Sequence, residues 1–244
     1  MILPGALFAP PFAHRGLWRT GGPPENSLAA FDAACRAGYG IELDVRLSSD
    51  GEAMVFHDES LERLAGVKAS VFDLTARELG ALPLLGGPDR IPTLRQVLER
   101  VDGRALLLVE IKAQPDGMEA LQARTAELLA RYEGPAAVIS FSSEALAWFA
   151  DHEPARLRGL DAAWLSDHDL AEEDGPDVLM AFEAACAAAR PHFLALELET
   201  AEGRIAGSCR EAGLPVIAWT VRSPEDAARV ARSCDNFIFE GFDA

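Results

Sequence analysis

The sequence predicts a single eight-stranded parallel β/α barrel. Short runs rich in leucine and β-branched residues alternate with longer, alanine-rich amphipathic stretches, which is typical of a parallel sheet with crossover helices. The chain has 244 residues, a common length for one such barrel, and 49% of them are hydrophobic, enough for a large core. Because no linker or low-complexity segment interrupts the pattern, we expect one domain over residues 1–244.

Eight runs of this pattern are predicted as strands: Pro11–His14, Gly40–Val45, Ala105–Ile111, Ala136–Ser140, Leu157–Asp161, Phe193–Glu197, Pro215–Thr220 and Asn236–Glu240. Nearly every run ends in a polar or chemically active residue. Barrel enzymes assemble their sites at the carboxyl ends of the strands. A strand also ends wherever polarity begins, so the inference depends on all eight endings together.

Helices are predicted between the strands. Leu28, Phe31 and Cys35 form an apolar stripe that follows a capping pair, Asn26 and Ser27, and ends near Gly38. A second amphipathic helix over Leu94–Val101 is expected to begin at the N-cap Thr93. Further helices are expected over Met118–Tyr132, Glu144–Ala150, Val178–Arg190, Ala201–Ala212 and Pro224–Ser233.

The formal net charge of -17 limits the partners that the chain can bind. No compact basic patch offsets this charge, so DNA, RNA and anionic lipid surfaces would be repelled. The acidity also serves as a solubilising surface. A small anionic substrate remains compatible with it if local cations neutralise the site.

The cysteines and the N-terminus both indicate a cytoplasmic protein. The four cysteines form no CxxC pair and lie among apolar residues, which predicts buried thiols in a reducing compartment. The stretch Met1–Phe12 is apolar, but it contains three prolines and no basic n-region, so we expect no signal peptide. No apolar run approaches the roughly 18 residues of a membrane span.

Two strands carry carboxylates that share a face with another charged residue. Glu42 and Asp44 lie two residues apart and point to the same side of their strand, where they would repel each other unless a cation separated them. An exposed edge strand could carry them without a cation. Glu110 and Lys112 repeat the spacing on a more apolar strand, where a buried salt bridge is the alternative explanation. Three carboxylates suit Mg²⁺ or Ca²⁺ better than zinc.

Two of the five histidines follow apolar segments: His14 ends the first predicted strand, and His57 closes the hydrophobic segment Ala53–Phe56. Two imidazoles can divide the proton transfers of phosphodiester cleavage at neutral pH, since one takes a proton and the other gives one. For His152, His168 and His192 we expect structural or exposed positions. Arg15 and Lys112 would complete a site whose total charge is near zero when a dication and a diester are bound.

A series of short motifs follows one another in a fixed order: His14-Arg15-Gly16, Pro24-Glu25-Asn26-Ser27, Glu42-Leu43-Asp44-Val45, His57-Asp58, Leu61-Glu62-Arg63, Ile91-Pro92-Thr93-Leu94, Glu110-Ile111-Lys112 and Trp219-Thr220-Val221. In this order they resemble the glycerophosphodiester phosphodiesterase family. The match is dense over the first 112 residues and thinner afterwards.

The resemblance implies a TIM (β/α)8 barrel that hydrolyses glycerophosphodiesters to sn-glycerol 3-phosphate and an alcohol. It also implies one divalent cation, Mg²⁺ or Ca²⁺. The implied roles are metal ligation by Glu42, Asp44 and Glu110, acid/base catalysis by His14 and His57, and phosphate binding by Arg15 and Lys112. Trp219 is expected to contact the substrate at the barrel mouth. Which histidine is the acid, and whether water or the glycerol 2-hydroxyl attacks, are left open.

The chain also departs from the family's pattern. The segment from His57 to Ile91 is short, so at most a very short insertion is expected there. The final strand lacks a Thr-Asp-Pro ending, which leaves the role of Glu240 open. Two rival functions remain, a lysophospholipase D-like activity using an apolar groove and a non-catalytic binder of phosphodiesters. We expect a small-molecule substrate, no nucleic acid and no stable membrane insertion, and the sequence leaves room for a homo-oligomer.

Overall fold

The structure is a computed structural model that describes residues 10–114, 116–172 and 174–244. Its fold is a single α/β domain, an eight-stranded parallel barrel of the TIM type, which confirms the predicted fold class. The apolar N-terminal stretch considered for a signal peptide lies for the most part outside the described residues. Among the residues described, no helix is both long and apolar enough to cross a bilayer.

The strands of the described residues are β1 (Phe12–Ala13), β2 (Gly40–Leu47), β3 (Ala53–Val55), β4 (Leu107–Ile111), β5 (Ala136–Ser140), β6 (Arg158–Ala162), β7 (Phe193–Glu197), β8 (Val216–Val221) and β9 (Asn236–Phe239). The helices are α1 (Leu28–Ala37), α2 (Glu62–Ala65), α3 (Ala76–Leu79), α4 (Leu94–Val101), α5 (Met118–Ala130), α6 (Ser143–His152), α7 (Gly175–Ala189), α8 (Leu198–Ala201), α9 (Arg204–Glu211) and α10 (Pro224–Val230).

Every predicted strand is found within two residues at either end, and the structure adds one strand that was not predicted. This strand, β3, pairs antiparallel with β2, and Val45 lies opposite Val55. A run of three buried residues is too short to show alternation, so its sequence indicated only an apolar segment.

The chain divides into two compact units, and the first is Ala13–Ala136. Within it, β2 and β4 run parallel, and Asp44 lies opposite Glu110. The predicted amphipathic helix α4 buries its apolar stripe and begins at Thr93, as expected. The Thr93 hydroxyl accepts a hydrogen bond from the Gln96 amide, and the Gln96 side chain returns one to the Thr93 amide, forming a capping box.

The predicted short insertion is a small folded layer between β3 and α4. It contains α2, α3 and short 3₁₀ turns, and it has an apolar cluster of its own. That cluster includes the buried side chains Phe56, Leu61, Leu64 and Leu79. The cluster fixes the backbone of the segment that follows His57, because four well-packed side chains leave it little freedom.

The second unit comprises Ala137–Ala244 with the described residues that precede Ala13. Its strands β5 to β9 pair in parallel in chain order. Gly159 on β6 is required for close packing, because a Cβ atom there would lie 2.2 Å from the ring of Phe193. This unit therefore builds its sheet from consecutive β/α repeats.

The cysteines are only partly as predicted. All four are free thiols, but only Cys234 is buried, whereas Cys35, Cys186 and Cys209 are half-exposed. The expectation of four buried thiols was wrong for these three residues. They lie on helices, where one face is always closer to solvent than the strands beneath it.

Candidate active site

Three carboxylates from two neighbouring strands converge within the unit Ala13–Ala136. Glu42 and Asp44 share a face of β2, and Asp44 lies opposite Glu110 on β4. One oxygen from each lies within 4.8 Å of the others. Their exposed fractions are 2%, 0% and 8%, so the alternative of an exposed edge strand is wrong.

Burial and mutual repulsion shape the titration of this carboxylate cluster. Burial, followed by the charges of Asp44 and Glu110, raises the pKa of Glu42 well above its usual value. Burial and the charge of Asp44 raise the pKa of Glu110 to about 7. Burial would also raise the pKa of Asp44, but Lys112 and Arg15 outweigh it and hold that pKa below its usual range. Burial and mutual repulsion therefore disfavour the ionised forms of Glu42 and Glu110.

The donor set fits a hard divalent cation. Glu42 Oε1 is buried and accepts no hydrogen bond from any described residue, and the buried Asp44 Oδ1 lies 3.2 Å from the Lys112 ammonium without a hydrogen bond to it. Buried oxygens without a donor are rare unless an ion or water satisfies them. Three carboxylates without a cysteine or histidine ligand suit Mg²⁺ or Ca²⁺. The cluster could therefore hold the cation that the sequence predicts.

Lys112 and Arg15 supply the positive charge beside the cluster. Lys112 Nζ lies 2.8 Å from Glu110 Oε1 and 3.2 Å from Asp44 Oδ1. Arg15 Nε lies 3.4 Å from Asp44 Oδ2. Glu110 and Lys112 form the salt bridge that was the alternative explanation of their spacing. The same Glu110 also belongs to the carboxylate cluster, so the two explanations are compatible.

A tight turn places His14 and Arg15 at the cluster. Arg15 and Gly16 adopt left-handed backbone conformations in succession, with φ values of 56° and 79°. A Cβ atom on Gly16 would lie 2.9 Å from the ring of Phe31, so only glycine fits where the turn packs on α1. The turn brings His14 Nε2 to 3.9 Å from Glu42 Oε2, and the Arg15 amide donates to the same oxygen at 2.9 Å.

His57 follows β3 and is oriented by its neighbour in sequence. Its Nδ1 lies 2.7 Å from Asp58 Oδ1. Burial would raise the pKa of Asp58, but hydrogen bonds from Arg63 and His57 lower it to about 2, so this carboxylate is ionised at neutral pH. An ionised carboxylate only accepts hydrogen bonds, so Nδ1 of His57 donates. Burial lowers the pKa of His57, which leaves a neutral ring with a lone pair on Nε2.

Asn26 has a different role from the helix cap that the sequence indicated. Its Nδ2 donates to Asp44 Oδ2 at 2.7 Å, and its Oδ1 accepts from the Asp44 amide at 3.4 Å. Ser27 alone caps α1, since its hydroxyl accepts from the Ala30 amide at 3.1 Å. The prediction of a capping pair was therefore wrong for Asn26, which holds the central carboxylate instead.

Arg46 is a site residue that the sequence analysis missed. Its Nε donates to the carbonyl oxygen of His57 at 2.7 Å, and its Nη1 donates to that of Ala113 at 3.4 Å. The residue continues the every-second-residue spacing of Glu42 and Asp44 along β2, and this spacing could have identified it. Arg46 fixes the backbone at His57 from the strand that carries the carboxylates.

Trp219 lies on β8, in the second unit. Its indole N–H finds no acceptor among the described residues, and its ring meets Phe141 edge-on at 5.5 Å between centroids. Phe141 is itself 48% exposed. A role for Trp219 in substrate binding stays a prediction.

Residues 14–237 match the sequence profile of the Glycerophosphoryl diester phosphodiesterase family, a span that contains every predicted site residue. The chain belongs to this family. It is therefore a phosphoric diester hydrolase, as the sequence predicted.

Relatives and solved structures agree with that membership. The chain is similar to a glycerophosphodiester phosphodiesterase of Caldanaerobacter subterraneus subsp. tengcongensis, at 30% identity over 91% of this chain and 89% of the relative. It is also similar to the solved glycerophosphodiester phosphodiesterase of Thermotoga maritima, with 27% identity, coverage of 93% and 92% of the two chains, and a TM-score of 0.71. An Oleispira antarctica phosphodiesterase solved with the product sn-glycerol-3-phosphate has the same fold, with 24% identity, coverage of 94% and 91%, and a TM-score of 0.78.

Proposed function

We propose that this chain hydrolyses glycerophosphodiesters to sn-glycerol 3-phosphate and an alcohol at the cluster of Glu42, Asp44 and Glu110. The observation that carries the proposal is the convergence of three buried carboxylate oxygens within 4.8 Å of one another in a member of this family. The Oleispira antarctica phosphodiesterase, which shares the fold, was solved with sn-glycerol-3-phosphate, and this supports the product.

Glu42, Asp44 and Glu110 would hold one Mg²⁺ or Ca²⁺. The cation, when bound, supplies Lewis-acid polarisation of a non-bridging phosphoryl oxygen. Arg15 and Lys112 bind the phosphoryl group and meet the charge that develops on it. Three carboxylates at about -3, a dication, a diester at about -1 and these two cations at about +2 sum to nearly zero, so the filled site is close to neutral.

His14 and His57 divide the two proton transfers. The neutral ring of His57, with Nδ1 held by Asp58, offers Nε2 as the group that takes a proton from the nucleophile. His14 lies beside Glu42 and gives a proton to the leaving alkoxide. If the two histidines exchanged these roles, both would still be essential for the reaction.

The nucleophile is either water or the glycerol 2-hydroxyl of the substrate itself. Attack by the hydroxyl forms a cyclic phosphate first, whereas attack by water forms glycerol 3-phosphate directly. Rapid quenching followed by phosphorus NMR separates the two routes. Failure to detect a cyclic product at any time point would count against the hydroxyl route.

The main test is hydrolysis of glycerophosphocholine with Mg²⁺ or Ca²⁺, with and without EDTA. We expect EDTA-sensitive release of glycerol 3-phosphate, and a loss of about 100- to 10,000-fold in rate for His14→Ala. His168→Ala is the matched control, because its side chain is exposed and pairs with Glu172. Binding of glycerophosphocholine without EDTA-sensitive hydrolysis under any metal would replace this proposal with a binding function.

Trp219 is proposed to contact the alcohol part of the substrate. Its free indole N–H and its packing on the exposed ring of Phe141 support an aromatic contact surface. Trp219→Phe retains the ring but removes the donor, so we expect a change in KM of only a few-fold. A comparison of glycerophosphocholine with lysophosphatidylcholine tests the lysophospholipase D rival, which predicts faster turnover of the lipid.

A further inference from the structure

Arg63 belongs to the short insertion, and the packing of its neighbours fixes the backbone that carries it. It lies on α2, between Leu61 and Leu64, whose side chains are both buried in the apolar cluster of that layer. The side chain of Arg63 itself is 47% exposed. A half-exposed arginine on a helix of one turn has no packing reason to adopt a single conformation, so its polar contacts decide its position.

Those contacts use all three guanidinium nitrogens. Nη1 and Nη2 donate to the two oxygens of Glu25, both at 2.8 Å. Nε donates to Asp58 Oδ2 at 2.6 Å. The planar guanidinium therefore bridges two carboxylates, and a lysine, with one ammonium group, cannot reproduce this fork.

Each of the two carboxylates also contacts a residue of the candidate active site. Glu25 Oε1 accepts from Arg15 Nη1 at 2.7 Å. Asp58 Oδ1 accepts from His57 Nδ1 at 2.7 Å. Three ion pairs and one hydrogen bond thus connect Arg15, Glu25, Arg63, Asp58 and His57 in a continuous chain, which we call the Arg63 bridge.

We propose that Arg63 is a positioning residue that holds the guanidinium of Arg15 and the imidazole of His57 in register with each other. This inference rests on the proposed function, in which Arg15 binds the phosphoryl group and His57 transfers a proton. The hydrogen bonds of Arg63 go to Glu25 and Asp58 rather than to the carboxylate cluster. It acts through Glu25 on one side and through Asp58 on the other.

The burial of Glu25 explains why the bridge is sensitive to the loss of its centre. Glu25 is 6% exposed, and its three hydrogen bonds come from Arg15 and Arg63. Without Arg63, Glu25 loses two of these hydrogen bonds and keeps its ion pair with Arg15. Asp58 loses its hydrogen bond from Arg63 and keeps the one from His57. Both changes allow the groups at the two ends of the bridge to move relative to each other.

The test compares Arg63→Met and Arg63→Lys with Arg100→Met. Arg100 is the matched control because its side chain is 51% exposed and pairs with Asp32, outside the bridge. We expect Arg63→Met to lower kcat for glycerophosphocholine by about 10- to 100-fold, the range for residues that orient the groups in direct contact with a metal or substrate. Arg63→Lys keeps the charge and loses the fork, so we expect it to recover only part of that loss. Full recovery by Lys would overturn the bridging role.

A double-mutant cycle separates positioning from general damage. If Arg63 acts through Asp58, the loss in Arg63→Met/Asp58→Asn is far smaller than the product of the two single losses. Multiplicative losses would overturn the proposal. Circular dichroism and thermal unfolding identify a variant that fails to fold, and Arg63→Lys then carries the test.

Nitrogen NMR of the His57 ring provides a readout that does not depend on activity. At about pH 8, where a histidine of ordinary pKa is neutral, we expect the wild-type ring to carry its proton on Nδ1, hydrogen-bonded to Asp58, and we expect Arg63→Met to shift and broaden the Nδ1 resonance because Arg63 no longer holds Asp58 in one position. An unchanged Nδ1 resonance would contradict the Arg63 bridge. A wild-type protein that cleaves no glycerophosphodiester would instead contradict the proposed function, so the two failures are distinguishable.

Discussion

The strand ends of Ala13–Ala136 carry a cluster of buried carboxylates, whereas those of Ala137–Ala244 carry the buried Asp161 together with aromatic rings and surface ion pairs. In the first unit, Asp44 is 0% exposed and is surrounded by Asn26, Lys112 and Arg15. In the second unit, Trp219 packs edge-on against the exposed ring of Phe141, and Glu240 pairs with the exposed Arg222.

The difference shows what each kind of strand end requires from the rest of the fold. A buried carboxylate needs a cation and hydrogen-bond donors, because its desolvation is costly. The first unit supplies them from two separate segments: the stretch between β1 and α1, with Arg15 and Asn26, and the residue that follows β4, Lys112. An aromatic ring at a strand end needs only a neighbour to pack against. The predictions below test this contrast between the units.

The largest expected effect comes from a carboxylate of the cluster. Glu42→Gln should lower kcat by roughly a thousandfold or more, since several kcal/mol of transition-state stabilisation depend on the cation. Glu197, a strand-end carboxylate of the other unit, provides the comparison, and Glu197→Gln should stay within about tenfold of wild type. Steady-state kinetics with glycerophosphocholine measures both.

The same Glu42→Gln variant should keep or raise its thermal stability when metal is absent. Burial and two neighbouring carboxylates disfavour the charge of Glu42, and the amide removes that charge at almost equal size. A large drop in the unfolding temperature would show that Glu42 stabilises the fold rather than the cation.

The second-largest expected effect is the loss of kcat in a variant of His57, the residue that pairs with Asp58. His57→Asn should lower kcat by about 100- to 10,000-fold, because an acid/base group is lost. His192→Asn, in the second unit, should have little effect on kcat. Equal losses of kcat in the two variants would contradict a specific acid/base role for His57.

The third effect is a loss of cation affinity in Asn26→Ala. Removal of the amide leaves Asp44 Oδ2 without its shortest side-chain hydrogen bond. We expect cation binding to weaken by about 10- to 100-fold. Ser27→Ala is the control next to it, and it should cost about 1 kcal/mol of stability as a lost helix cap without weakening cation binding. Calorimetric titration and urea unfolding measure the two quantities.

The smallest effect is a pH dependence of stability from Asp58. Its folded pKa of about 2 lies below the unfolded value of about 3.9, so its contribution to stability is fully present above about pH 4. The contribution is lost as the pH falls from about 4 toward 2. The difference in unfolding free energy between wild type and Asp58→Asn should therefore shrink over that range. A difference that is constant with pH would contradict the pairing of Asp58 with Arg63 and His57.

Sequence patterns predicted the strands well, because the signal for a strand is local. The spacing of Glu42 and Asp44 predicts a shared face, and β2 has that face. Thr93 before the apolar stripe of α4 predicts an N-cap, and Thr93 caps that helix. Asn26 shows where this reasoning fails, because a polar residue before a helix matches a capping pattern whether or not its side chain turns away toward Asp44.

The sequence by itself determined the parallel barrel, the approximate bounds of its eight strands and the residues that belong to the family motifs. These depend on periodicity and on motif order, which involve neighbours along the chain. Only the tertiary structure decided that Asn26 holds Asp44, that Arg46 fixes the backbone at His57 and that Arg63 connects Glu25 with Asp58. Arg63 and Glu25 are 38 positions apart. The pairing of two such charges depends on where the packed insertion places α2, and no local pattern records that position.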